Sequence, residues 1–138
     1  MFTCNCLIRK DTKHIRDTLR KYGYKGVTLS RDKYDAIMVT KRSIVGMPIS
    51  FTMEDGTEWH IDKYLKWNPQ VYDCGDNEHL FLALASINDH NFDNSWYVDT
   101  NGNIFFIENS TYEQREQYFS DEIKLASKEQ LITYFKQQ

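Results

Sequence analysis

Residues 80–87 read Leu-Phe-Leu-Ala-Leu-Ala-Ser-Ile and leave almost no polar position after Glu78. A helix that is apolar nearly all round has no face to give to water, so neighbours must enclose it on every side. The spacing predicts such a helix over Asn77–Asn88, central to the core. Everything else in the 138-residue chain has to supply its cover. That length is ordinary for one domain with one core. The 41% apolar and 27% charged content is globular rather than disordered.

The covering elements follow from periodicity. Phe2, Cys4, Cys6 and Ile8 alternate on one face of a first strand. Asp11 or Thr12 caps a helix running to about Tyr22, with Ile15, Leu19 and Tyr22 inward and Gly23 as its stop. Residues 36–40 form a short strand. In the segment Ile-Ser-Phe-Thr-Met-Glu-Asp-Gly-Thr-Glu-Trp-His-Ile, a three-residue loop over 54–56 sets Phe51 against Trp59 and Ile49 against Ile61. That register pairs like with like, with Gly56 left-handed. Val71 and Tyr72 make a short strand before the central helix. Asn101-Gly102 is the strongest hairpin signal. We assign Trp96, Val98, Phe105 and Ile107 to one face of that hairpin, and Tyr97, Ile104 and Phe106 to the other. Ser110–Glu113 and Ser127–Gln130 read as capping boxes, the second opening a helix with Leu131, Ile132 and Phe135 inward. A strand-then-helix step recurs at residues 6–12, 71–77 and 123–129, which suggests a degenerate repeat.

The fold class is therefore α+β: a single compact domain over 1–138, an antiparallel, hairpin-rich sheet packed around the central apolar helix, with two or three further helices. No run of about 18 apolar residues predicts a membrane span. No signal peptide is read at the amino terminus, and three cysteines suit a reducing compartment. The expected location is cytoplasmic.

Charge is unevenly placed. Residues 1–50 carry 11 Lys and Arg against 4 Asp and Glu, whereas residues 51–138 carry 6 against 16. Lys13, Arg16, Arg20 and Lys21 line the outer face of the first helix, extended by Arg9, Lys10 and Lys25. Such a stripe can neutralise phosphates or simply face solvent. No helix-turn-helix, RNP, KH or zinc-finger pattern accompanies it. Cys74 stands near the central helix's start, where a helix dipole would favour a thiolate. His79 and His90 are its candidate bases, although His79 would lie about 140° round the helix. Cys4, Cys6 and Cys74 lack zinc-ligand spacing. Asp62, Asp73, Asp76, Glu78, Asp89, Asp93 and Asp99 lack the EF-hand pattern, and Asp73 and Asp76 read as helix caps. No metal and no cofactor is expected, and no P-loop, dinucleotide fingerprint or hydrolase elbow is present.

The stretch from Tyr72 to Trp96, with Cys-Gly-x-Asn-Glu opening an apolar helix, followed by Leu-Ala-Ser-Lys-Glu-Gln-Leu-Ile-Thr-Tyr-Phe, resembles small uncharacterised proteins encoded by phages and mobile elements of gut bacteria. The resemblance covers about half the chain and carries no site residues. It implies an accessory protein that acts on host machinery. The resulting expectation is a binding protein rather than an enzyme, directed at a host protein, for instance as an inhibitor of a bacterial defence system, with self-association a further option. Three alternatives stand beside it. One is a nucleic-acid binder using Lys13, Arg16, Arg20 and Lys21, and another is a thiol hydrolase on Cys74. The third is a small-ligand sequestering protein with a pocket built from residues such as Trp96, Tyr97 and Phe106.

Overall fold

In the computed structural model, residues 5–25, 35–40, 43–87, 95–107 and 123–137 are described. Phe2, Cys4, His90, Asp89, Asp93 and the Ser110 capping box lie outside them. The described elements are β1 (Cys6–Ile8), α1 (Lys13–Lys21), β2 (Asp35–Thr40), β3 (Ser43–Pro48), β4 (Ser50–Thr52), β5 (Glu58–His60), α2 (Ile61–Trp67), β6 (Tyr72–Asp73), α3 (Glu78–Ser86), β7 (Ser95–Asp99), β8 (Ile104–Ile107), β9 (Ile123–Leu125) and α4 (Lys128–Lys136). The molecule is α+β. No described helix is long and apolar enough to cross a membrane.

The apolar helix is α3. Asn77 caps it by accepting from the Leu80 N–H at 3.1 Å, and Leu80, Phe81, Ala83, Leu84 and Ala85 are all buried. Asp73 and Asp76 are not its caps. Asp73 instead accepts from the Gly75 N–H at 2.9 Å, because the chain turns at Gly75 (φ +58°) before the helix begins. At the far end Tyr24 donates its hydroxyl to the Ala85 carbonyl, tying the exit of α1 to the exit of α3.

Strand alternation covers α3 from one side. In a sheet ordered β3-β2-β1-β6, Cys6, Ile8, Ile37, Val39 and Ile44 join the α3 cluster, together with Ile15 and Leu19 of α1 and Leu131 of α4. The opposite face of the same sheet carries Leu7, Ala36 and Met38, which pack with Ile61 in a second, smaller cluster. Both sheet faces are thus buried, which explains the almost unbroken apolar run of β2.

The described strands form three sheets. β4–β5 is a separate two-stranded ribbon, and β8-β7-β9 a separate three-stranded sheet. Most pairings are antiparallel, but β1 and β6 run parallel, with Cys6 opposite Tyr72. Each of the three strand-then-helix steps is present, as β1–α1, β6–α3 and β9–α4. Helix α2 has no counterpart in the sequence reading. His60 caps it by accepting from the Asp62 N–H at 3.2 Å, an uncommon cap that gives little signal beforehand.

The two hairpins use one loop design. In the first, Met53 N–H donates to Thr57 (2.8 Å), Phe51 faces Trp59 and Gly56 takes φ +84°, as the like-with-like register requires. In the second, Asp99 N–H donates to Asn103 (3.1 Å) and Gly102 takes φ +83°. The second loop therefore spans three residues, 100–102, where the face assignment above implied a two-residue turn. The extra residue shifts β8 by one position and exchanges its faces. Trp96 and Val98 lie with Phe106 and Ile104, while Tyr97 lies with Phe105. The Asp99 carboxylate fixes this choice by accepting from the Asn101 and Asn103 N–H groups, both at 2.9 Å.

Those hydrogen bonds, led by the Asn103 N–H and side chain, hold the Asp99 carboxyl below its usual 3.8. A depressed folded-state value means that the loop's contribution is present above the unfolded value and lost as pH falls through the folded one. Comparing Asp99→Ala with the wild type by urea unfolding should therefore give a stability difference that is flat above about pH 5 and shrinks below pH 4. A difference that does not change with pH would show that the loop does not use the ionised carboxylate.

Candidate interaction surfaces

Of the thiol candidates, Cys74 and His79 are described and His90 is not. Cys74 donates its N–H to Leu7 at 2.8 Å, so it extends the parallel β1–β6 pairing, and it is only 6% exposed within the main core. It stands before the Asn77 cap, outside the first turn of α3. His79 faces solvent. Burial by apolar neighbours makes Cys74 a small core residue. Among the described residues, no three of His, Cys, Asp and Glu gather as metal ligands.

The basic helix face is partly neutralised. Asp11, just ahead of the Thr12 cap, takes Arg16 in a two-pronged ion pair, and both side chains are largely buried. Arg20 pairs with Asp17 at 3.3 Å. Arg9 bridges Asp62 of α2 and Asp73 of β6, and its hydrogen bond holds the Asp62 carboxyl below its usual value. Lys13 and Lys21 remain exposed. Of the four stripe residues, two are therefore exposed cations with no ion pair among the described residues.

The aromatic candidates also divide. Tyr97 is fully buried, with its ring against Phe105 (6.1 Å between centroids). Trp96 and Phe106 meet on the opposite face at 5.3 Å, and Tyr134 and Phe135 of α4 close over Trp96 at 6.1 and 5.2 Å. Helix α4 covers that face at Trp96 and leaves it open further along, towards the loop. A groove of about 330 Å³ results, lined by Val98, Gly102, Ile104, Glu129, Gln130, Thr133, Tyr134 and Gln137. Glu129 and Thr133 of α4 and Gln137 at its C-cap are spaced by four, so one side of the helix forms its polar wall. The apolar pair Val98 and Ile104 forms its floor.

Among the described residues, the most exposed large apolar side chains include several where the sequence reading placed no site. The β4–β5 ribbon stands on the smaller cluster, with Ile49 and Trp59 packed against it. Phe51 stacks on the Trp59 ring at 5.0 Å and is itself 43% exposed. Met53, two residues on and therefore on the same face, is 47% exposed, and Trp67 at the end of α2 is 75% exposed. The Phe51–Trp59 register was readable from the sequence. The exposure was not, because it depends on how far the ribbon projects from the sheet.

No protein-family model, curated protein or solved structure matches the chain.

Alkylation of the native protein by iodoacetamide should leave Cys74 and Cys6 equally slow, with both reacting once the protein is unfolded in urea. Cys74 modified well ahead of Cys6 under native conditions would restore it as a candidate nucleophile.

Proposed function

We propose that this chain is a non-enzymatic binding protein whose recognition surface is the β4–β5 ribbon, with Trp67 at the far end of the following helix α2 as a further exposed contact. One observation carries the reading: Phe51, Met53 and Trp67 stand exposed while a domain of this size has core positions to fill. Aromatic rings and methionine are the side chains that protein interfaces concentrate at their centres, because each removes a large apolar area from water. The Phe51–Trp59 stack gives the patch a rigid base, so little side-chain freedom is lost on binding. The resemblance to phage and mobile-element proteins supports a cytoplasmic accessory role with a host protein as target. Inhibition of a bacterial defence system is the specific form we favour.

A second reading rests on the groove beside α4. Its size is near the lower end for small-ligand sites, and its apolar floor and amide-bearing wall suit a compact ligand with hydrogen-bonding groups. Sequestration of such a ligand is the alternative function.

Changing Phe51 and Trp67 together to Ala should leave the circular dichroism unchanged, since neither side chain is in the core. It should lower affinity for a host protein captured by the wild type, then purified, by at least about tenfold, as loss of a hot-spot aromatic commonly does. Undiminished binding by the double variant would remove the ribbon from the interface.

A further inference from the structure

The ribbon that carries the exposed apolar side chains also carries charge of one sign. From Ile49 to Asp62 the chain has Glu54, Asp55, Glu58 and Asp62, and no Lys or Arg. Asp62 is held by Arg9. Glu54, Asp55 and Glu58 are exposed, and no described cation pairs with them. Glu54 and Asp55 sit in the loop directly after Met53, so two carboxylates stand at the tip of the Phe51–Met53 face, while Glu58, opposite Thr52, lies on the ribbon's other face. Hydrogen bonds from the Thr57 side chain and N–H hold the Asp55 carboxyl below its usual value, which keeps it ionised. Helix α2 brings Lys63 and Lys66 beside Trp67, so the single sign belongs to the ribbon alone.

This arrangement selects among occupants. Two copies meeting tip to tip would set the same carboxylates against one another, and like charges across an interface oppose association. Nucleic acid and anionic membranes are repelled for the same reason. A surface that offers an apolar pocket within a rim of lysine or arginine satisfies both features of the ribbon: the rings fill the pocket, and the rim charges steer the approach. We propose that the tip of the β4–β5 ribbon docks into an apolar pocket rimmed by basic residues on a partner protein. The proposal rests on the ribbon being the recognition surface and specifies the chemistry of what it recognises.

Three short synthetic peptides test it by ¹H–¹⁵N NMR titration of the full chain: one alternating arginine with leucine, one glutamate with leucine, and one arginine with serine. The arginine–leucine peptide should shift the amides of Phe51, Met53, Glu54 and Trp59. Its binding should weaken with added salt, fall about tenfold or more in Phe51→Ala, and fall by about as much at low salt in Glu54→Lys. The arginine–serine peptide should bind at least about tenfold more weakly, for lack of apolar anchors, and the glutamate–leucine peptide not at all. A glutamate–leucine peptide bound at the same residues overturns the charge preference and leaves the ribbon as a docking surface. An arginine–serine peptide as tight as arginine–leucine removes the apolar pocket. Shifts elsewhere, or none with any peptide, overturn both the inference and the reading beneath it.

Discussion

Enclosing α3 is the constraint that organises this molecule. From Leu80 to Ala85 the helix is apolar at every position, so neighbours must enclose that stretch, and the hydrophobic gain is obtained only if several elements close together. The central sheet supplies Cys6, Ile8, Ile37 and Val39; α1 supplies Ile15 and Leu19; α4 supplies Leu131; and Trp96 packs at the margin. The polar ends of the helix are met locally, by Asn77 at one end and by the Tyr24 hydroxyl at the other. Residues that chemistry might have used, Cys6 and Cys74, are drawn into this enclosure and become packing.

A consequence appears on the far side of the sheet. Strand alternation sends Leu7, Ala36 and Met38 to the face away from α3, where α2 and the β4–β5 ribbon cover them. That layer is thin. Ile61 completes it, and Trp59 lies at its margin with Phe51 stacked outside. Phe51 is itself 43% exposed, so the same apolar chain of contacts that seals the sheet ends in an exposed surface. Exposed aromatic surface here is continuous with structure and not a loose appendage, which is why it can be both rigid and available.

Much of this was legible in the sequence, and for identifiable reasons. Local signals acting within a few residues read correctly: the Ser127 cap, Thr12 as one of two candidate caps for α1, the Gly23 stop, the Ile15–Leu19–Tyr22 stripe of α1 and the like-with-like register of the first ribbon. Signals that depend on distant partners did not. Nothing near Tyr72 says that it runs parallel to Cys6, and nothing in the strand patterns says that they divide into three sheets. The second hairpin failed for a sharper reason. Asn101-Gly102 satisfies both a two-residue and a three-residue loop, and the Asp99 carboxylate decides between them by binding Asn101 and Asn103. Of the candidate site residues, Arg16, Tyr97 and Cys74 stand in more enclosed surroundings than their patterns convey, for one common cause: a pattern gives the face of an element but not what packs on it. Asp11 neutralises Arg16, and the core absorbs the other two.

The central claim is that α3 and its enclosure form the stable scaffold, with the ribbon resting on a thinner layer outside it. Native-state hydrogen exchange separates these layers residue by residue. The amides of Phe81–Ala85 should exchange only through global unfolding, while those of the ribbon, such as Met53 and Ile61, should open at a distinctly lower free energy. Ribbon amides protected as strongly as those of α3, or α3 amides exchanging first, would contradict this division of the fold.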